Sequence, residues 1–473
     1  MAGTILRSFA VPRTAKLRAR LPAWWLLALC AAAIVGAGLP GTGKTALLAI
    51  LIGVLPLAVV LSVDEPLAVF TVGIALVALY SEEVRDNSIL PGGETVYASA
   101  PHSAVELLFY LLAAGYLVRL VRSPTRAWPG APATGALVLV AAGIVATFAH
   151  PGSVTSDLRV LRDVILLPVA MCCGYWLALE HEPRRLYRIL VLVSVPLLPL
   201  GLYNAVTGAG AHAGSGTALS FYDSSSIFLL GACLLLVGFE VVELHAWRLP
   251  YCFVAALVVV LSLRRGAILS LAVAALVTLL WTAWSAKSTR WAWAGAVVLA
   301  VVALEAAEPG VVINSTAHLS TYLTGSSGTD WSVNYRNFER PNVWGNVRQN
   351  WVTGIGPSGE WTLLNSYNGK FVPQDLHYVH NNFLWVWLHF GLFGLIALSG
   401  FLLTTAWTLL RRIRQSVSVT IVGAVVVGSC VMLATASTLT TTIRWPVITG
   451  VLVGIAAAEV RGRGTDAQAS PSR

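Results

Sequence analysis

The side chains in this sequence best placed for chemistry stand at the edges of apolar stretches. His380-Asn381 is followed by nine residues and then Gly391-Leu392-Phe393-Gly394. The imidazole marks the point where a polar stretch, Pro309 to Val379, gives way to an apolar run beginning at Phe383. An ionisable group beside a membrane is costly to place and is a functional candidate for that reason. Histidine there suits a general base; the plainer reading is an interfacial ring that snorkels. Arg264 and Arg265 interrupt an otherwise apolar run from Tyr251 to Trp284. A guanidinium stays charged, and its rigid fork matches phosphate oxygens two at a time. The pair therefore suits a grip on a lipid diphosphate, with a short basic turn as the alternative.

Further cations and aromatics precede the histidine. Tyr335-Arg336-Asn337-Phe338-Glu339-Arg340-Pro341 leads into Asn342–Trp351 and then Gly354-Ile355-Gly356-Pro357. Pro341 suits a helix start, after which Val343, Trp344, Val347 and Trp351 recur at helical spacing. One reading is an amphipathic helix lying on the bilayer. The other has Trp344, Trp351 and Trp361 stacking on sugar rings while Arg336, Arg340 or Arg348 reaches phosphate. Earlier, Arg159 and Arg162 lie in Ser156–Asp163, with Asp157 and Asp163 at hand as ordinary ion-pair partners.

The elements that must position these residues are membrane helices. Of 473 residues, 56% are hydrophobic and only 11% charged, and the mean hydropathy is +0.74. A span needs about 20 mostly apolar residues. Fourteen candidates, some short, centre on 24–39, 46–61, 67–80, 104–121, 133–149, 164–179, 189–206, 221–242, 251–263, 267–284, 291–305, 383–410, 417–437 and 443–460. The fold expected is all-α and polytopic, with about 12–14 transmembrane helices and one large extracytoplasmic loop. Counting alternately, 20 of the 31 Lys and Arg residues fall on one side, which the positive-inside rule makes cytoplasmic. Both termini are then inside, Arg264-Arg265 faces outward against the charge bias, and the net charge of +9 is a topology signal rather than a nucleic-acid one.

The organisation that follows is a basic cytoplasmic N-terminus (1–22), an N-terminal bundle (23–305), the outward loop (306–379), the C-terminal helices (380–460) and a disordered tail (461–473). The basic start and the apolar run after Trp24 mimic a signal peptide but lack a clear small-x-small cleavage site, so they read as an uncleaved helix. All six cysteines fall inside apolar spans, which argues against a disulfide framework. Gly38 to Thr45 matches a P-loop pattern, but as a turn between apolar spans it lacks the strand and helix that such a loop requires.

With these residues in view, His380-Asn381-x9-Gly391-x2-Gly394 resembles the signature of the bacterial O-antigen ligase and polysaccharide polymerase superfamily. Arg265-x3-Leu269 is similar to that family's Arg-x3-Leu element. The loop segment with its Arg, Trp and Gly-x-Gly resembles, less specifically, the stretch ahead of its histidine. The resemblance covers roughly Arg159 to Leu410. It implies a multi-pass protein of the bacterial plasma membrane that transfers a polyprenyl-diphosphate-linked glycan, outside the membrane, to a hydroxyl on a glycan, lipid or protein acceptor. By that match His380 is the base and Arg265, with Arg264, holds the diphosphate. Substrate contacts fall to Arg159 or Arg162, Arg336, Arg340, Arg348, Asn381 and Trp344, with no metal or cofactor. Asn381 is expected to cap its helix, and Gly391 and Gly394 to permit close helix packing.

Two other classes stay open. A transporter or flippase of lipid-linked sugars would place ionisable residues along a path through the spans, whereas here they gather at the outer edge. A polyprenyl-phosphate-sugar glycosyltransferase would use an acidic outward loop, for which Glu82, Glu83, Asp86 and Glu94 are candidates. The sequence has no Asp-x-Asp pair. His377 and His380 have metal-ligand spacing, but the only carboxylate near them in sequence is Asp375.

Overall fold

A computed structural model describes residues 65–79, 100–122, 128–150, 152, 154–207, 220–221, 224–262, 264–282, 331–367, 370–376, 379–412, 416–436, 439 and 443–469, some of them by backbone alone. The first, second and eleventh expected spans, the P-loop-like turn, the Glu82–Glu94 acidic segment and His377 lie outside these residues.

The described helices are α1 (Pro66–Leu79), α2 (Ala100–Arg122), α3 (Ala131–Ala149), α4 (Val154–Glu180), α5 (Pro183–Ser194), α6 (Leu197–Thr207), α7 (Ser224–Gly238), α8 (Arg248–Leu261), α9 (Arg265–Thr282), α10 (Trp331–Gln349), α11 (Asn382–Leu410), α12 (Val417–Thr435) and α13 (Arg444–Ala469). Among the described residues, six helical segments are long and apolar enough to cross a membrane, and five shorter apolar helices accompany them. These eleven correspond to the eleven expected spans that fall on described residues. An apolar chain in lipid must satisfy every backbone polar group internally, and the helix is the local way to do so. Prolines are placed where that rule bends. Pro132 and Pro183 lie in the first turns of α3 and α5, where a missing N–H costs nothing. Pro196 sits at the break between α5 and α6, which together make one span.

Close backbone approach organises the bundle. The α4–α13 seam is made of glycines: a Cβ at Gly174 would lie 2.6 Å from the Val451 carbonyl oxygen, and one at Gly450 would lie 2.5 Å from that of Leu167. Small residues at this spacing let two helices pack without lipid between them. α3 lies along α11, and α9 along α12. The bundle's outer faces are apolar, with Phe148, Leu403 and Trp407 all exposed, as expected of surfaces that a bilayer covers.

Three features differ from the sequence expectation. α13 continues as helix to Ala469, past Arg461, where the sequence places a disordered tail. α10 begins at Trp331, so Pro341 is in its interior rather than at its start. A proline there removes one hydrogen bond and strains one turn, which this helix tolerates. The third is a β-hairpin, β1 (Trp361–Tyr367) with β2 (Lys370–Leu376), paired antiparallel from Trp361↔Leu376 to Tyr367↔Lys370. Between the two strands the sequence reads Asn368-Gly369, a strong short-range hairpin signal.

Candidate functional site

The site is built around the start of α11. Asn381 caps the helix, its side-chain oxygen accepting from the Leu384 N–H at 3.1 Å. That satisfies one of the orphan donors of the first turn. Asn382, fully buried, ties the same turn to the end of α12. Its amide donates to the carbonyls of Leu433 (3.1 Å) and Ala436, while its oxygen accepts from Leu439 N–H at 3.1 Å. The end of α12 in turn abuts the start of α9, where Thr435 leaves no room for a Cβ at Gly266. His380 and the Arg264-Arg265 pair, more than a hundred residues apart in sequence, are thus held at the same end of the bundle by Asn382 and Gly266.

His380 has a partner that the sequence did not reveal. Its Nδ1 lies 3.1 and 3.3 Å from the two carboxylate oxygens of Glu339. Its backbone N–H also donates to them, at 3.3 and 3.4 Å. The Glu339 side chain is 4% exposed, against 29% for that of His380. The carboxylate is sealed behind the ring while the ring keeps an open side. This corrects the expectation that the histidine has no carboxylate near it beyond Asp375. Glu339 precedes His380 by 41 residues, and it reads in sequence as one acid among arginines, so only the docking of α10 brings the two together.

α10 docks through one face. Glu339, Val343 and Val347 recur every four residues and are all buried. The apolar face that could have lain on a bilayer is therefore covered by protein instead. The neighbouring stripe holds Arg336, Arg340, Trp344 and Arg348, again at four-residue steps. Arg340 and Arg348 are exposed. Trp344 packs edge-on against Trp387 of α11 at 5.1 Å, and the Arg348 guanidinium lies 5.9 Å from the Trp344 ring. Much of the Trp344 surface that was expected to stack on sugar is thus already engaged. Arg336 lies in α10 and Arg265 opens α9, both known here by backbone position alone. Arg264 is half-buried, its backbone N–H donating to Ser262 Oγ at 3.3 Å.

The two earlier arginines both lie on α4. Arg162 lies in an ion pair with Glu106 at 2.8 Å, a partner the sequence did not point to, and is 3.5 Å from Asp163, one of the two that it did. Arg159 lies on α4, described by backbone alone. Asp157 is buried, and its Oδ1 accepts from the Ser358 N–H at 2.9 Å.

That bond anchors a strap, Trp351–Ser358, which runs into a break in α11. Gly391 interrupts the helix with φ 68° and ψ −167°, a region open essentially to glycine alone. The strap takes over the freed hydrogen bonds. Ile355 N–H donates to Leu388 O at 2.8 Å, Gly356 N–H to His389 O at 3.2 Å, and Leu392 N–H to Trp351 O at 2.9 Å. His389, fully buried, is held by Gly356 O at 2.8 Å and by the Trp385 ring. The glycine pair of the His-Asn-x9-Gly-x2-Gly block therefore serves a helix break, not the close packing of separate helices. A Cβ at Gly391 would strike the Val352 carbonyl oxygen, and one at Gly394 would strike Phe390 of its own helix.

Arg444 is a further cation that the sequence leaves unremarked, since it sits in an ordinary-looking helix start. It is fully buried at the head of α13. It donates to Val77 O at 2.7 Å, to Ala78 O at 3.4 Å and to Ser226 Oγ. Those carbonyls end α1, so the guanidinium completes a helix terminus.

Taken together, the structure defines an all-α polytopic membrane protein with a histidine–carboxylate pair and arginines gathered at one end of its bundle. The family described as O-Antigen ligase matches residues 250–399. That segment runs from α8 through the loop into α11 and contains Arg264, Arg265, Glu339, His380 and both motif glycines. The match supports the O-antigen ligase and polymerase superfamily, and with it glycan transfer of that general type. No curated protein matches the chain.

Proposed function

We propose that the protein transfers a polyprenyl-diphosphate-linked glycan to an acceptor hydroxyl at the outer face of the bacterial plasma membrane, with both termini in the cytoplasm. The carrying observation is the link from His380 through Asn382 to α12, and through Thr435 and Gly266 to Arg264-Arg265. It sets the starts of α11 and α9, which carry His380 and Arg264-Arg265, at the same end of the bundle, and this supports reading them as proton acceptor and diphosphate ligands. The acceptor oxygen attacks the anomeric carbon and gives its proton to His380. The bond from that carbon to the diphosphate oxygen breaks, and polyprenyl diphosphate leaves. Arg265, with Arg264, stabilises the negative charge that gathers on the leaving group, which is worth most in a site that excludes water. A single displacement of this kind inverts the anomeric centre. The cationic stripe Arg336, Arg340 and Arg348 supplies further donors toward phosphate or glycan from the loop side.

The test uses purified protein in lipid nanodiscs and a whole-membrane extract from a deletion strain, chosen to carry the accumulated donor together with lipid, glycan and protein acceptors. His380→Ala should keep binding to undecaprenyl diphosphate while transfer falls by roughly 10²–10⁴-fold. The acid limb of the pH–rate profile should disappear with it. Loss of donor binding instead, with the pH profile of the residual activity unchanged, would make His380 a binding residue and refute it as the base.

A further inference from the structure

We infer that Glu339 is the positioning residue of the base: it fixes the tautomer and orientation of His380 and stabilises the imidazolium that forms during transfer. The inference rests on the proposed role of His380 and adds to it a second residue delivered by a different element. A carboxylate can only accept hydrogen bonds. With Glu339 ionised, an Nδ1 at 3.1 Å from its oxygen must therefore carry the proton. In the neutral ring the lone pair then falls on Nε2, which becomes the atom that takes the acceptor's proton. The same carboxylate holds the His380 backbone N–H at 3.3 Å, so ring and main chain are gripped together and the imidazole has little freedom to swing. When Nε2 is protonated, the positive charge develops beside a buried carboxylate rather than alone. This is the logic of a carboxylate behind a catalytic histidine, in which the carboxylate orients and stabilises without itself taking the proton.

Position in the fold adds a consequence. Glu339 belongs to α10, in the loop, and His380 to the start of α11 in the bundle. The base is complete only when α10 is docked by Val343 and Val347. The loop is thus part of the catalytic apparatus and not merely a cover for it.

The experiment is a double-mutant cycle on Glu339→Gln and His380→Ala in nanodiscs, with the deletion-strain extract as donor and acceptor and undecaprenyl diphosphate as the binding probe. Glu339→Asp serves as the conservative variant. Glu339→Gln should lower kcat by about 10²-fold or more, by analogy with the amide variant of a triad carboxylate, while leaving probe binding and thermal stability near wild type. Its residual activity should keep an acid limb, because His380 is still present. Glu339→Asp should recover part of the rate. The double variant should be no slower than His380→Ala alone, because the carboxylate acts only through the ring.

Normal transfer by Glu339→Gln, with His380→Ala inactive, would overturn this inference and leave the proposed base standing. Normal transfer by His380→Ala would overturn both. A double variant well below His380→Ala would show Glu339 acting elsewhere, which also refutes the inference. Weakened probe binding and a lowered melting temperature in both Glu339 variants would reassign the residue to holding the loop in place.

Discussion

At the scale of single residues, two kinds of arginine must be told apart. Arg444 is buried and spends its donors on the carbonyls that end α1. Arg444→Ala would strand those acceptors, so unfolding in detergent should show a loss of about 1–3 kcal/mol. In the proposed function Arg265, at the start of α9, spends its donors on the leaving diphosphate instead. Arg265→Ala should raise the barrier to transfer by about 2.7–4 kcal/mol, by analogy with removal of an oxyanion-hole donor, with little change in melting temperature. Arg265→Lys should recover little of the rate, because a point charge does not replace a two-pronged donor. A well-expressed Arg265→Ala protein that transfers at the wild-type rate would remove the residue from the site.

At the scale of elements, the break in α11 is the device that merits testing. The helix gives up its own hydrogen bonds at Gly391 and takes those of the strap instead. Gly391→Ala combines a forbidden backbone angle with a collision against Val352 O. It should destabilise the protein by more than about 1 kcal/mol. Gly400 lies nine residues further along the same helix, with nothing within 4 Å of a Cβ built on it. Gly400→Ala should be neutral or stabilise by about 0.4–1 kcal/mol. Differential scanning fluorimetry of the two variants would check this, and equal melting temperatures would deny the break its structural role.

At the scale of the whole molecule, the proposal depends on which way the bundle faces. A reporter placed after Lys287 or after Arg414 should read cytoplasmic, and one at Gly325 extracytoplasmic, following the Lys and Arg asymmetry. A cytoplasmic Gly325 reporter would put the base on the wrong side for a donor presented outside. Movement of lipid-linked glycan across liposomes without bond formation would likewise favour the transporter reading.

How much was legible in advance follows from the range of the forces involved. Apolar runs declare helices because lipid leaves the backbone no other local solution, and α3, α11 and α12 stand close to where composition puts them. Asn381 is equally local: a cap is read within four residues, and it caps. Position at a membrane edge marked His380 and Arg264-Arg265 out, because a charge there is costly wherever the rest of the chain goes. Tertiary structure decided what depends on distant segments meeting. Glu339 is unremarkable until α10 lays its valines against the bundle, Gly391 passes for a packing glycine until the strap enters the helix, and Arg444 looks like a helix start until α1 ends against it. In each case the partner is remote in sequence, and no local pattern encodes which segment will supply the missing hydrogen bond.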